Sequence, residues 1–129
     1  MCGNGQCEGN SVFIDCGSTA ERIAEALRNK KNITVIIQRF RIDYLFLGAN
    51  GIDAKHGLTV PDYADAETKR MLIRQSRHVI VAADHAKLGG DFFEIVAKIS
   101  EIEAVVTDSD AEPALVQELR DGGTEVIVV

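Results

Sequence analysis

Residues 78–83 read HVIVAA, and after the histidine every position is apolar. A strand with one wet face alternates apolar and polar residues. A strand covered on both faces does not need to, and such strands belong to parallel sheets. The run EVIVV at 125–129 has the same character. Working outward, short Val-, Ile- or Phe-rich runs bounded by polar residues or glycine mark strands at 11–15, 32–37, 42–48, 78–83, 103–107 and 124–129. Helical patterns fall between them at 19–29, 65–76 and 111–121. The first helix sets Ile23, Ala24 and Leu27 on one face. The last is punctuated by Asp110 before it, Pro113 in its first turn and Gly122-Gly123 after it. Strands alternating with helices predict an α/β domain, with a mainly parallel sheet flanked by helices.

One junction breaks the pattern. ITVII ends at Ile37 and IDYLFLG begins at Ile42, with only Gln38 to Arg41 between. A parallel crossover needs about ten or more residues, and QRFR has no Gly, Asn or Pro to make a hairpin. The chain therefore looks shortened between residues 37 and 42.

Composition narrows the function. With 129 residues, 46% of them hydrophobic, the chain is one domain with room for one core. The formal charge is -6, which leaves no electrostatic footprint for nucleic acid. No apolar run approaches membrane-spanning length, and no signal peptide opens the chain. Cys2, Cys7 and Cys16 lie without the spacing of a four-ligand zinc site, and His56, His78 and His85 stand apart in sequence. Free thiols in a reducing cytoplasm are the expectation, and no metal or cofactor is expected. Residues 1–10, MCGNGQCEGN, read as a flexible tail and 11–129 as the domain.

Three loops follow apolar runs. The stretch VFIDCGSTA (12–20) passes from strand to helix through Asp15, Gly17, Ser18 and Thr19. Glycine permits a tight turn, and the unpaired N–H groups of a helix start attract an anion that two hydroxyls can also serve. The plainer reading is a helix cap. LGANGIDAKHG (47–57) places Gly48, Ala49, Asn50, Gly51 and Asp53 past a second strand, where open α/β sheets bind ligands; an ordinary glycine turn is its alternative. VAADHAKLGG (81–90) adds Asp84 and Lys87, the lysine being either a point charge for a phosphate or a solvated side chain. In the preceding helix Glu67 and Arg70 have the spacing of a surface pair. The expectation is that residues 17–19, 48–53 and 84–87 gather at one sheet edge.

Taken in order, IDCGSTA, IDYLFLGANGIDAKHGLT, ETKRMLI, VIVAADHAKLGG, EIEAVVTD and GGTEVIVV resemble the C-terminal sensor domain of the DeoR family of sugar-metabolism regulators. The resemblance runs from about residue 11 to residue 129. It implies a fold similar to ribose-5-phosphate isomerase, with the Gly-Ser-Thr loop on the ligand phosphate. It also implies a cytoplasmic homo-oligomer that responds to a phosphorylated sugar or polyol. DNA would be met only through a helix-turn-helix that this chain does not carry. The implied ligand set is Asp15, Gly17, Ser18, Thr19, Gly48, Ala49, Asn50, Gly51, Asp53, Glu67, Lys69, Asp84 and Lys87.

Catalysis is not expected. Where the isomerases carry a pattern like Asp-Gly-Ala-Asp-Glu, this chain reads Leu47-Gly48-Ala49-Asn50-Gly51. Lys69 stands near the place of the isomerase glutamate base, with Glu67 two residues away. Proton shuttling between neighbouring sugar carbons needs a placed carboxylate. The rival readings are a sugar-phosphate isomerase of the same fold and a module that serves only oligomerisation.

Overall fold

In the computed structural model the described residues are 6–7, 10–15 and 41–129, the first two segments as backbone only. The strands are β1 (Gln6–Cys7), β2 (Asn10–Asp15), β3 (Ile42–Gly48), β4 (Gly51–Asp53), β5 (Gly57–Val60), β6 (Ser76–Ala82), β7 (Glu94–Ala97), β8 (Ala104–Thr107) and β9 (Glu125–Val128). The α-helices among the described residues are α1 (Tyr63–Arg74) and α2 (Pro113–Asp121). Short 3₁₀ turns occupy His85–Lys87 and Ile99–Glu101. The expected strand at 32–37 and helix at 19–29 lie outside the described residues.

The main sheet has the order β1-β2-β3-β6-β8-β9. Strand β1 is antiparallel to β2, and every other neighbouring pair is parallel. The parallel α/β architecture read from the sequence is thus the observed one. Its two faces are not equally covered, however. Leu45 and Leu47 of β3, Val79 and Val81 of β6, Val105 and Val126 all bury on one face. On the other face Ile80 is half-buried, and Tyr44 stacks on His78 with ring centroids 4.8 Å apart.

Local chemistry explains the helix ends. The Asp62 carboxylate accepts from the Asp65 N–H at 3.0 Å, so α1 begins at Tyr63 rather than 65. It stops at Arg74, where the sequence turns into the β-branched run of β6, and Gln75 N–H bonds back to the carbonyls of Met71 and Leu72. Strand β6 therefore begins at Ser76, not 78. Helix α2 starts at Pro113 rather than 111, because a proline without an N–H fits the first turn. It presents Val116 and Leu119 to the core.

A second sheet was not legible in advance. Strands β4, β5 and β7 form an antiparallel unit in that order. Each is only three or four residues long, too short to show alternation. It contributes Ile52, Leu58 and Val60 to the core, all fully buried, and α1 adds Ala66 and Leu72. Burying one such aliphatic side chain is worth about 1.5–3 kcal/mol. The Arg70 guanidinium fastens α1 to this sheet through the Ile95 carbonyl at 2.6 Å and the Glu94 carboxylate at 3.2 Å.

Gly57 makes the small sheet possible. Its φ is +80°, and a Cβ placed there would lie 2.0 Å from the Ala97 carbonyl oxygen on β7. Gly123 also has a positive φ, +99°, but a Cβ there meets nothing within 4 Å. Gly123→Ala should therefore cost only the left-handed backbone term, roughly 1–2 kcal/mol. Gly57→Ala should cost about 3 kcal/mol or more, since strain and clash combine. Urea unfolding of the two variants checks this, and equal losses would show that the Gly57–Ala97 approach is not tight.

Candidate functional site

Parallel register sets the site. Asp15 pairs with Leu47, Gly48 with Ala82, Ala82 with Val106, and Thr107 with Val128. The C-terminal ends of β2, β3, β6 and β8 are therefore level, and the segments that follow them leave from one edge. Gly17, Ser18 and Thr19 lie outside the described residues; Asp15 closes β2 two positions before Gly17. Helix α1 ends at the opposite edge, where Ile42 N–H donates to the Gln75 carbonyl at 2.9 Å. Its N-terminal half consequently points toward the candidate edge.

Two of the three expected loops meet in direct backbone contact. Gly51 lies against Gly90: a Cβ on Gly51 would come within 2.7 Å of the Gly90 carbonyl and 2.9 Å of the Phe92 ring. A Cβ on Gly90 would stand 3.1 Å from Gly51 Cα and 3.2 Å from the Lys87 carbonyl. The contact continues as a parallel bridge from Ile52 to Leu88, with Gly89 N–H donating to the Ile52 carbonyl at 2.8 Å. Gly51 thus serves a close chain crossing, which sets the segment 48–51 beside 84–90.

The polar groups on these loops divide into committed and uncommitted ones. Asp53 is committed: its carboxylate accepts from His56 N–H and faces His56 Nδ1 at 3.2 Å, closing the turn between β4 and β5. Asp91 reaches the same imidazole at 3.5 Å. Asp84 accepts from Ala86 N–H at 3.0 Å and starts the 3₁₀ turn. Glu67 pairs with Arg70, as its spacing suggested. Lys69 is almost fully buried and bonds the equally buried Asp65 at 3.0 Å. Leu47 is a core residue, 1% exposed. Asn50 and Lys87, both half-buried, keep side chains without a hydrogen-bond or ion-pair partner among the described residues.

A fourth group at this edge was missed by sequence reading. Asp108, just past β8, accepts from His85 N–H at 2.9 Å, from Asp110 N–H at 2.9 Å, and faces His85 Nδ1 at 3.0 Å. The signal was present as Asp108-Ser109-Asp110 after the apolar run AVVT. Its partner His85 lies 23 residues earlier, and only the β6–β8 pairing brings the two together.

A sequence model described as the DeoR C terminal sensor domain matches residues 36–109. The chain belongs to that family. It is 29% identical to the glycerol-3-phosphate regulon repressor of Escherichia coli, over 88% of this chain and 61% of the repressor. It is 31% identical to the HTH-type transcriptional regulator GlpR of Haloferax volcanii, over 93% of this chain and 46% of that protein. It is 34% identical to the HTH-type transcriptional repressor GlcR of Bacillus subtilis, over 71% of this chain and 35% of the repressor. The chain thus spans about three fifths or less of the length of these relatives. The Escherichia coli alignment runs over 153 positions, yet 88% of 129 residues is about 114, which leaves about 39 positions to the relative alone. The Haloferax alignment of 120 positions takes in 93% of the chain, about 120 residues, without such a gap. Among the described residues no helix is long and apolar enough to cross a membrane.

Asp108 holds the His85 imidazolium above the usual histidine range, mainly through the side-chain hydrogen bond and then by direct charge attraction. The backbone N–H of His85 is the largest influence holding Asp108 below the usual carboxylate range. The stabilisation from His85 is present at low pH and is lost as pH rises through its raised folded-state value. That from Asp108 is lost as pH falls through its lowered one. Their joint contribution is complete between the ordinary carboxylate and ordinary imidazole ranges. Proton NMR titration should find His85 titrating above the ordinary histidine range. Asp108→Asn should return it to the ordinary range, and an unchanged His85 midpoint in that variant would contradict the pairing.

Proposed function

We propose that this domain is the effector-binding part of a DeoR-type transcriptional regulator, and that its effector is a phosphorylated sugar or polyol. The observation that carries the reading is half-buried Lys87, its ammonium without a partner among the described residues, on a turn that meets Asn50 at the Gly51–Gly90 crossing. Carbonyls of both residues come within 4 Å of the Cβ position of Gly90. Neighbouring carboxylates are engaged by their own turns, so an anion entering here meets an ammonium and an amide. The level ends of β2 and β3 put Asp15 at the same edge, two positions before Gly17 in sequence. Family membership and the printed name of the Escherichia coli relative, a glycerol-3-phosphate regulon repressor, point to the same ligand class.

In this reading the backbone of Gly17-Ser18-Thr19 and its two hydroxyls receive the phosphate, Lys87 adds charge, and Asn50 meets a hydroxyl. Asp53, Glu67, Lys69 and Asp84 shape the surroundings through the bonds described above. Isomerisation is not part of it, because Leu47 is a core residue and Asn50 is an amide. Binding changes operator affinity only if the effector prefers one of two states of the full regulator. DNA contact is assigned to a separate DNA-binding segment of the regulator, and the sensor is placed in a homo-oligomer.

Calorimetry with glycerol-3-phosphate and a panel of pentose and hexose phosphates tests this. A charge-assisted hydrogen bond is worth about 1.5–3 kcal/mol, so Lys87→Ala should weaken binding roughly tenfold or more. Thr19→Glu should abolish it, by setting a carboxylate against the phosphate. Equal affinity in all three proteins would refute the assigned site. A wild-type chain that binds none of the panel would favour a module that serves oligomerisation alone.

A further inference from the structure

The loops after β6 and β8 are tied by Asp108 through the backbone. Its carboxylate takes the N–H groups of His85 and Asp110, each at 2.9 Å. That tie needs no imidazole; any residue but proline at position 85 would supply the same N–H. The His85 ring nevertheless lies with Nδ1 at 3.0 and 3.1 Å from the two oxygens of Asp108. A carboxylate on Nδ1 fixes a proton there and fixes the ring plane, leaving Nε2 as the working atom. Nε2 has no partner among the described residues, and the side chain is about half exposed, at 51%. Lys87 is two residues away on the same 3₁₀ turn, also without a partner among the described residues.

We propose that His85 is an effector contact, its Nε2 donating to an anionic oxygen of the ligand beside the Lys87 ammonium. This rests on the sensor reading above and extends it to a residue that sequence comparison had not assigned. The charged groups acting on the ring are Asp84 on its own turn and Asp108 and Asp110 on the loop after β8, and Lys87 lies on the same turn. Asp108 is saturated by three contacts and Asp84 is engaged by Ala86 N–H. Asp84, Asp108 and the exposed Asp110 all keep their negative charge, so the contact rests on direct donation from protonated His85 and Lys87 and not on the net charge of the edge. Neutral His85 presents a lone pair at Nε2 instead and repels the same oxygen. Effector affinity should therefore be higher below the His85 midpoint and fall as pH rises through it.

The test uses the whole 129-residue chain, with glycerol-3-phosphate and, separately, inorganic phosphate as probes. Proton NMR follows the His85 ring, assigned by its loss in His85→Gln, and calorimetry gives the affinity for glycerol-3-phosphate across a range of pH values that brackets the midpoint so found and lies above the ester's second pKa of about 6, where it is mostly a dianion. The expected results are an upward shift of the His85 midpoint on adding ligand, and affinity that declines across the range. His85→Gln should bind roughly tenfold more weakly at the lower pH and show no such decline. Binding by wild type with an unmoved His85 midpoint, and with equal affinity in His85→Gln, would overturn this inference while leaving the sensor reading intact. Binding of neither probe would overturn both.

Discussion

The arrangement depends on one close approach of two backbones. Gly51 and Gly90 cross with no room for a Cβ on the Gly51 side, and the Ile52–Leu88 bridge extends the contact. Without it, the loop after β3 and the loop after β6 would each leave the sheet edge separately. With it, Asn50 and the Lys87 turn stand next to one another. The crossing in turn depends on the small antiparallel sheet, because β4 is the strand that carries Gly51 and Ile52 into place. Gly57 lets β5 come close alongside β7, and Arg70 ties β7 to α1. The minor sheet is therefore the brace for the candidate edge of the major one.

Charge at that edge is arranged by local bonds rather than by composition. The chain is acidic overall, and carboxylates crowd the loops at Asp53, Asp84, Asp91, Asp108 and Asp110. Most are spent on nearby N–H groups or imidazoles. Hydrogen bonds to a carboxylate stabilise its charged form and occupy its lone pairs. A site for an anion can thus exist in an acidic domain, provided its cations are the groups left unpaired. Lys69 shows the contrary case. Its ammonium is buried against Asp65, and removing one partner of such a pair commonly costs about 3–5 kcal/mol because the other charge is stranded.

Much of the fold was legible where side chains repeat a pattern. The apolar runs at 42–48, 78–83 and 103–107 marked three strands within two residues of their observed ends, and Gly122-Gly123 marked the end of α2. The Asp62 cap was overlooked, which displaced α1 by two residues. Strands β4, β5 and β7 were invisible because pairing between residues as far apart as Leu58 and Ala97, not local pattern, makes them strands. The site was half legible for the same reason. Asn50 and Lys87 follow apolar runs and could be picked out singly. That Gly51 serves a crossing and that His85 belongs with Asp108 are facts of long-range geometry. The Gly17-Ser18-Thr19 reading stands on sequence and family alone.

The most direct test of the account is amide chemical-shift mapping of the chain titrated with glycerol-3-phosphate or the best binder of the phosphate panel. The account predicts that the largest perturbations fall on Gly48–Gly51 and Asp84–Gly90. The amides at the opposite edge, Gln75, Ile102 and Thr124, should stay where they are. Perturbations centred on that opposite edge, with Asn50 and Lys87 unmoved, would contradict it.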